Sequence, residues 1–445
     1  MLNTAVPSGR DGLLWWLIFC TGVGLSVLFA FRSQLGGDQY LMLDLGWRLV
    51  NEGQWSPYGM PTSAGGRSPG GFMALLMALP LYVWADYRSP ALLTLALHAA
   101  AFLLLAHALR HVLTTRGMWL LLLFVWVNPW RLYFSAHVWN ANFMFVAAVL
   151  HLVTAQRMAA RRGAWTTFLH VVLIALAVQV HTSAVVLAFL SLLLFSRRMI
   201  QVHWGGFALG VVIGVAAYIP WLLAVIEDPA LTPGAKGFLL RGLILVTPFL
   251  RGVLYSLKMG SLSLNTRTLD FDFTPVFGAD ANAILAPIGV VVGVLGHLTL
   301  VPSLWANWRF VRKAWPVWRW RQPQPSRPRT WLRGYIMLLL AAALFSFAIS
   351  PTTTMFWQAF IVLPAVALVL VMTAEALLRT RARDKVSGYA RAWCVLAALL
   401  LGFQGLAAPL YRCGGRVTDP AYSWGLGAQQ RAACEAPSTA RDEAL

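Results

Sequence analysis

The stretch LLWWLIFCTGVGLSVLFAF (residues 13–31), followed by GGDQYLMLDLGWRLVNEGQWSP (residues 36–57), decides the fold class. The first part has no charged residue and is close to the roughly 20 residues that a helix needs to cross a bilayer. Similar runs recur along the chain, and 59% of the 445 residues are hydrophobic while only 11% are charged. So little charge cannot cover a soluble protein of this size. The sequence predicts an all-α, polytopic transmembrane protein with about 11–13 membrane segments.

The candidate membrane segments extend over most of the chain. Their expected bounds are 13–31, 71–85, 90–109, 117–134, 138–156, 164–181, 183–196, 205–224, 282–304, 335–349, 356–374 and 392–409. A further run, 238–257, carries Arg241 and Arg251, so we expect an interfacial helix rather than a span. The first run follows Arg10 and lacks a small-residue cleavage site. It is therefore expected to be a retained helix with a cytoplasmic start.

The formal net charge of +19 comes largely from basic clusters between the apolar runs, as at 196–199, 309–333 and 379–385. Such clusters are typical of cytoplasmic loops beside anionic headgroups, and we expect no nucleic-acid partner. Placing the two later clusters inside puts the C-terminal tail outside. If each predicted segment crosses the membrane once, counting back from this tail to a cytoplasmic N-terminus leaves the number of crossings wrong by one. Either one early segment is not a simple span, or 238–257 crosses the membrane.

The segment after the first run predicts an amphipathic juxtamembrane helix. Leu41, Leu45 and Leu49 fall at i, i+4 and i+8, with Met42 beside them. This spacing gives one apolar stripe that would lie on the membrane. Gly53 ends the helix and a turn rich in aromatic residues and proline follows.

Three carboxylates lie where the chain leaves the membrane. Asp44 precedes Arg48 by four residues, which predicts an ordinary helical ion pair. Glu52, at the end of the helix, is expected to be solvated. Asp38 stands at the start of the helix, where it suits capping of free backbone amides and catalysis equally well.

Polar residues also gather at three later points. Arg67 lies in SAGGRSPGGF at the mouth of the second segment, where a guanidinium suits a phosphate or anionic headgroup, with a snorkelling anchor as the alternative. NPWRLYFSAHVWNANF contains Trp139 and Asn140, and VQVHTSA contains Gln179 and His181. Polar groups at membrane depth are costly and tend to mark a site or a water-filled cavity.

Taken in order, these features resemble the integral-membrane GT-C glycosyltransferases. The resemblance is to the family of protein O-mannosyltransferases and bacterial lipid A aminoarabinose transferases (family 39-like), and it covers roughly residues 10–225. It rests on an aspartate directly after the first helix, a G-x-W-x-P turn and a basic residue before the second helix. The segments FSAHVWNAN and QVHTSA also look like segments of bacterial members.

Three departures from the family pattern leave the sugar and the acceptor open. Many relatives have an Asp-Glu pair where this chain has Asp38-Gln39, and aminoarabinose transferases have Lys-Pro-Pro where it has Arg67-Ser68-Pro69. An acidic residue that some relatives carry is replaced here by the neutral Trp139-Asn140.

The resemblance implies transfer of a sugar from a polyprenyl-phosphate donor to an acceptor hydroxyl on the periplasmic side, with inversion. Asp38 would be the general base. The donor and its phosphate would be bound by Arg67, His181, Asn140 and Arg241. The substrate groove would include Gln39, Tyr40, Trp139 and Gln179.

The chain divides by these criteria into a GT-C-like catalytic module (1–225), a non-cytoplasmic loop with an interfacial helix (226–281), a C-terminal transmembrane module (282–409) and a polar tail (410–445). Cys20 and Cys394 lie in apolar runs, whereas Cys413 and Cys434 lie in the tail. Whether the latter two form a disulfide or remain free thiols is open from the sequence.

No cofactor is expected, because His, Asp and Glu do not cluster at metal-ligand spacing, although some superfamily members use a divalent cation. The expected partners are a lipid-linked donor, membrane lipids and a glycan, lipid or protein acceptor, and the expected location is the bacterial inner membrane. One alternative is a transporter or flippase of a lipid-linked sugar, which needs a groove but no base and usually shows internal symmetry. Another is an enzyme like an O-antigen ligase or polymerase, which concentrates Arg and His in a late periplasmic loop.

Overall fold

A computed structural model of the chain describes residues 9–32, 37–62, 66–86, 88–136, 138–232, 246–264, 273–319, 327–350, 355–380 and 383–407. Nearly all regular structure in these ranges is helical. Two short strands, β1 (Tyr58–Pro61) and β2 (Arg67–Pro69), form an antiparallel hairpin. Eight helical stretches within these ranges are long and apolar enough to cross a membrane. The predicted all-α, polytopic class is confirmed.

The α-helices follow one another with short connections. They are α1 (Gly9–Arg32), α2 (Gly37–Glu52), α3 (Phe72–Val83), α4 (Arg88–Leu109), α5 (Thr115–Leu121), α6 (Pro129–Ser135), α7 (Phe143–Ala160), α8 (Ala164–Val180), α9 (Val185–Ser196), α10 (Trp204–Ala216), α11 (Ile219–Glu227), α12 (Val246–Met259), α13 (Thr274–Leu298), α14 (Leu300–Arg319), α15 (Pro328–Ala348), α16 (Leu363–Leu377) and α17 (Arg383–Ala407). A π-helical turn (Leu122–Trp126) continues α5, and 3₁₀ turns occupy Asn140–Asn142, Thr182–Ala184, Pro229–Leu231 and Gln358–Val362.

One end of the helix bundle is rich in arginine and is called the basic end below. The Trp331 indole at the start of α15 donates to the carbonyl of Met199 after α9 (2.9 Å), and the Gln156 amide near the end of α7 donates to the carbonyl of Ala108 near the end of α4 (3.3 Å). These bonds pair the start of α15 with the end of α9, and the end of α7 with the end of α4. Arg329 Nε donates to the carbonyl of Val112 just after α4 (2.7 Å), which joins the two pairs. Arginines at or near these termini and adjoining ones are Arg110, Arg116, Arg157, Arg161, Arg162, Arg197, Arg198, Arg327, Arg329 and Arg379.

The other end of the bundle, called the distal end, collects the end of α1, the start of α4 and the end of α8. The Arg88 guanidinium lies 5.4 Å from the centre of the Phe31 ring, which places the start of α4 beside the end of α1. The amide of Phe72, at the start of α3, donates to Gln179 near the end of α8 (3.3 Å). The polar segments singled out in the sequence lie toward this end.

The prediction that residues 71–85 cross the membrane is wrong, because α3 does not run from one end of the helix bundle to the other. It begins beside Gln179 and leads to Arg88, so it starts and finishes toward the distal end. Its 12 residues extend about 18 Å, which is short of the roughly 30 Å of a hydrocarbon core. α3 packs mainly against α2. Removing α3 from the predicted spans also removes the mismatch of one crossing left by the sequence.

The juxtamembrane helix forms as predicted, and part of its predicted stripe faces the protein. α2 buries Met42 and Leu45 of that stripe together with Leu43, while Leu41 remains 37% exposed. A side chain at Gly46 would collide with Met77, so α2 and α3 approach each other with no room for a Cβ atom. The helix is therefore held by α3, and contact with α3 selects its inward face.

Of the interfacial helix expected at 238–257, the described part is helical and belongs to α12, Val246–Met259, which packs against α15 and α16. Residues 233–245 lie outside the described ranges. Gly252 would collide with Phe347 if it carried a Cβ, and the carbonyl of Met259 accepts a hydrogen bond from buried Asn128 (3.1 Å). Pro248 and Met259 of α12 are buried, so part of the apolar surface of this helix packs into the protein interior.

Candidate active site

Asp38 lies in the first turn of α2 and is exposed at the distal end. It has no hydrogen bond or ion pair to any other residue of the described ranges. The predicted pair on the same helix is confirmed, since Asp44 contacts Arg48 at 2.9 Å. Of the two aspartates on α2, only Asp38 is thus left available to an incoming molecule.

A second carboxylate near this site escaped the sequence analysis. Asp86 is buried and binds Arg88, whose backbone amide and Nε both donate to Oδ1 at 2.8 Å. A second guanidinium nitrogen of Arg88 donates to Oδ2. This pair fixes the turn between α3 and α4, so Asp86 has a structural role. Asp86 and Arg88 lie only two residues apart in the polar connection between α3 and α4. This spacing shows no helical periodicity, so the sequence did not indicate the pair.

Arg67 begins β2, and its guanidinium lies 4.9 Å from the centre of the Tyr58 ring across the hairpin. Arg67 is only partly buried. The other strand of the hairpin packs against α2, the helix that carries Asp38. The structure thus brings together the two elements that hold the predicted base and the predicted phosphate ligand.

Gln179 holds the hairpin in place from below. Its side-chain oxygen accepts from the amide of Phe72 (3.3 Å), and its side-chain nitrogen donates to the carbonyl of Ala217 (3.2 Å). Gly70 has a φ of +84°, and a Cβ there would collide with the Gln179 side chain. Gln179 was predicted to line the substrate groove, but it is buried with both ends of its amide engaged. This favours a positioning role for Gln179 over contact with substrate.

Trp139, Asn140 and His181 meet at a shared support. The 3₁₀ turns Asn140–Asn142 and Thr182–Ala184 both pack against the 3₁₀ turn Gln358–Val362. Trp139 is partly exposed, and its ring lies 5.1 Å from that of Trp357. The side-chain oxygen of Asn140 accepts from the next backbone amide (2.9 Å), which leaves its NH₂ group to donate elsewhere.

His181 is buried, and its Nδ1 accepts from the backbone amide of Ser183 (3.2 Å). A neutral imidazole that accepts at Nδ1 carries its proton on Nε2. His181 can therefore donate one hydrogen bond from Nε2.

The remaining predicted positions divide between the core and the undescribed parts. Tyr40 is buried and Gln39 is half-buried on the first turn of α2. Arg241, Cys413 and Cys434 lie outside the described residues. Within the ranges given above, no three His, Cys, Asp or Glu residues come together as metal ligands. The independence from metal expected from the sequence remains a prediction.

Arg131 occupies a position that the sequence did not reveal. It is fully buried, and its guanidinium donates to Ser26 (2.7 Å), Ser135 (3.0 Å) and the carbonyl of Trp126 (2.8 Å). The guanidinium carbon also lies 3.9 Å from the centre of the Trp126 ring. Arg131 therefore joins α6 to α1 beneath the distal end. Only its place among polar neighbours in the sequence hinted at importance.

Comparison with known proteins gives the fold. No protein-family model matches the chain, and no curated protein matches it by sequence. Two crystal structures of ArnT from Cupriavidus metallidurans do match by shape. The apo form aligns with a TM-score of 0.49 and 14% identity over 89% of this chain and 78% of ArnT. The form bound to undecaprenyl phosphate aligns with a TM-score of 0.50 and 13% identity over 90% of this chain and 75% of ArnT. The chain has the fold of ArnT.

The ArnT fold agrees with the family that the sequence resembles. It also extends the likeness beyond residues 10–225, because the alignment covers 90% of the chain. At 13% identity the fold does not carry individual site residues across. The roles of Asp38, Arg67 and the other predicted site residues therefore rest on their positions here.

Proposed function

We propose that the protein is a glycosyltransferase that moves a sugar from a polyprenyl-phosphate donor to an acceptor hydroxyl. The proposal is carried by the ArnT fold combined with an unpaired carboxylate and a partly exposed guanidinium on elements that pack together. The ArnT structure of this fold has undecaprenyl phosphate bound. A lipid-linked donor requires its phosphate at headgroup depth, and the distal end offers Arg67 beside the helices of the bundle.

The reaction takes place on the extracytoplasmic side. Arginines mark the basic end, and short loops rich in Lys and Arg remain in the cytoplasm. Asp38 and Arg67 lie toward the opposite end and so face outward. In a bacterium this corresponds to the periplasmic face of the inner membrane.

In the proposed mechanism Asp38 accepts the proton of the acceptor hydroxyl while the hydroxyl oxygen attacks C1 of the sugar. The bond between C1 and the phosphate oxygen breaks, and polyprenyl phosphate leaves from the opposite face, which inverts C1. Arg67 binds the phosphate and stabilises the charge that develops on it. His181 Nε2 and the Asn140 NH₂ group donate to the sugar or the phosphate, while Gln39, Tyr40 and Trp139 border the sugar. Arg241 is proposed as a further phosphate ligand.

The test uses purified protein in nanodiscs with radiolabelled polyprenyl-phosphate sugars and an extract of envelope glycans, lipids and proteins as acceptors. We expect labelled product and stoichiometric release of polyprenyl phosphate. Arg67→Ala should weaken donor binding by about tenfold to a hundredfold, the value of one charge-assisted contact, because the phosphate loses its counter-charge. The matched control is Arg48→Ala, which removes an arginine that pairs with Asp44 on α2.

Three outcomes would contradict the proposed reaction or the proposed site. Movement of the lipid-linked sugar between leaflets without cleavage of its phosphate bond would indicate the flippase. Donor binding that is equal in Arg67→Ala and wild type would remove Arg67 from the site. Dependence of activity on arginines after residue 225 alone would favour the alternative related to O-antigen ligases.

A further inference from the structure

Two pairs of residues, each a tryptophan followed by a side-chain amide, have equivalent places at the distal end. Trp139 and Asn140 lead into α7, and Trp357 and Gln358 lead into α16. In each pair the tryptophan stands directly before a 3₁₀ turn that the amide residue begins. All four residues are partly exposed, and the centres of the two indole rings lie 5.1 Å apart. The first pair belongs to the proposed sugar site, whereas the second has no role in it.

The two amide side chains are held in the same way. Oδ1 of Asn140 accepts from the backbone amide of Ala141 (2.9 Å), and Oε1 of Gln358 accepts from the backbone amide of Met355 (2.8 Å). Because each oxygen is engaged, the NH₂ group of each side chain is left to donate. Each pair therefore presents an aromatic ring beside a hydrogen-bond donor, and neither pair carries a charge.

Trp357 stands at the start of the most enclosed of the candidate spans. In Gln358–Leu377, 89% of the apolar window is buried, more than in any other candidate span of the described ranges. The Trp357 ring also packs on the buried Phe356 ring, with 5.0 Å between their centres. Tryptophans that anchor a protein at the membrane interface face lipid. A central position favours instead an opening toward water within the distal end.

A row of aromatic rings connects the second pair to the element that leads to Asp38. The ring centre of Phe356 lies 6.3 Å from that of Tyr133, which lies 6.5 Å from that of Phe29 near the end of α1. Asp38 follows Phe29 by nine residues. On the other side, the 3₁₀ turn that Gln358 begins packs against the turn after α8, and α8 packs against β2. The second pair is thus connected to the elements of both the predicted base and the predicted phosphate ligand.

We propose that Trp357 and Gln358 bind the acceptor and that the acceptor is a neutral carbohydrate, an inference that rests on the proposed function. A sugar ring has an apolar face of C–H groups that can pack on an indole, and hydroxyls at its edge that can accept from an amide. With the transferred sugar beside Trp139, the neighbouring Trp357 holds the ring to which that sugar is joined. A hydroxyl oxygen of this ring forms the bond to C1, its proton passes to Asp38, and polyprenyl phosphate leaves.

The residue that receives the sugar separates this inference from the proposed function. The envelope extract is incubated with the radiolabelled polyprenyl-phosphate sugar, and the residue bonded to the transferred sugar is identified by mass spectrometry after partial hydrolysis. A neutral sugar at this position would support the inference. Any other residue there, such as a protein side chain or a charged sugar, would refute the inference and leave glycosyl transfer intact. Absence of labelled product would refute both.

The next test changes the ring at Trp357. We expect Trp357→Leu to raise the apparent KM for the glycan fraction of the extract about tenfold, the value of one aromatic contact, while the Kd of the labelled donor stays unchanged. Trp357→Phe keeps a flat ring and should recover most of the affinity. Trp165→Leu, at a 67% exposed position in the first turn of α8, is the control and should alter neither constant. An unchanged KM in Trp357→Leu, or an equal loss of donor affinity, would overturn the inference.

The last test uses the likeness of the two pairs. Gln358→Glu and Asn140→Asp each keep the oxygen that accepts from the backbone and replace the donating NH₂ group with a second oxygen. Gln358→Glu should raise the apparent KM for the glycan fraction about threefold to tenfold and leave the donor Kd unchanged, whereas Asn140→Asp should weaken donor binding. Both variants preserve the shape of the side chain, and a thermal unfolding curve checks that they fold. Effects of both variants on the same substrate, or on neither, would overturn the inference.

Discussion

Two carboxylates at opposite ends of the bundle, Glu375 and Asp38, differ in their surroundings. At the basic end, Glu375 is buried and accepts from the amide of Thr114 (2.9 Å), while Arg329 binds its other oxygen and also donates to the carbonyl of Val112 (2.7 Å). At the distal end, Asp38 is exposed and has no partner among the described residues. Glu375 joins α16 to the start of α5 and to α15.

The contrast teaches how to separate structural from chemical carboxylates in a protein with 16 acidic residues. A buried carboxylate must be paired, because an unpaired charge in a medium of low dielectric constant is very costly. An exposed carboxylate without a partner is under no such constraint. The presence of such a carboxylate on the helix that packs against the Arg67 hairpin is then a reason to look for chemistry.

The largest expected effect is on turnover by Asp38→Asn. Loss of a general base typically slows a reaction by about 10²–10⁴-fold, and we expect a decrease in that range with donor affinity and thermal stability unchanged. The measurement is sugar transfer under saturating donor, together with a thermal unfolding curve. Glu52→Gln, an exposed acid on the same helix, is the control and should remain active. Substantial turnover by Asp38→Asn would refute the assignment.

Glu375→Ala should lower the stability of the fold and leave donor binding intact, the reverse of Asp38→Asn. Removal of the Glu375 carboxylate leaves the partly exposed Arg329 guanidinium and the Thr114 amide without their shared acceptor, and the loss of such charge-assisted hydrogen bonds destabilises proteins by about 1–3 kcal/mol. We expect a much lower midpoint of unfolding in detergent, with donor affinity retained by the protein that remains folded. Asp384→Asn, at an exposed position on α17, is the control. An unchanged midpoint would show that this cluster contributes little to stability.

Gly70→Ala should disturb the hairpin more than an equivalent change elsewhere. Gly70 and Gly53 both have positive φ angles, +84° and +65°, but only Gly70 faces Gln179. Strain in this backbone region costs about 1–3 kcal/mol, and the collision adds to it. Donor affinity should therefore fall in Gly70→Ala and stay normal in Gly53→Ala. Adding Gln179→Ala to Gly70→Ala tests the collision directly, since it should restore part of the stability.

The smallest effect is expected for Asp44→Asn. The pair with Arg48 is an exposed i,i+4 contact, and such pairs contribute about 0.3–0.5 kcal/mol. The unfolding midpoint should change by no more than about a degree, and transfer should continue. A loss of activity as large as that of Asp38→Asn would mean that the two aspartates act together.

The sequence predicted those features that depend on local spacing. The helix after the first run and the Asp44–Arg48 pair both followed from i,i+4 periodicity and are present. The order of polar motifs also led to the correct fold. Local spacing could not reveal that α3 remains on one side, because its run has the composition of a span and is distinguished only by its short helix and its packing against α2.

Contacts between residues far apart in the chain could not be predicted from the sequence. Gln179 bonds to a residue 107 positions away, so its polarity indicated importance without indicating whether it holds substrate or backbone. Arg131 likewise donates a hydrogen bond to Ser26, which lies 105 residues away in the chain. The mutual positions of Asp38 and Arg67 depend on the fold of the hairpin against α2, which no periodic pattern specifies.

The amide of Gln179 binds both the amide of Phe72 and the carbonyl of Ala217. A molecule that moves the junction of α10 and α11 therefore changes the energy of the hairpin, and one that moves the hairpin changes the energy of the junction. By thermodynamic reciprocity each event alters the affinity for the other by the same factor. Replacing this one side chain should uncouple the hairpin from the junction of α10 and α11.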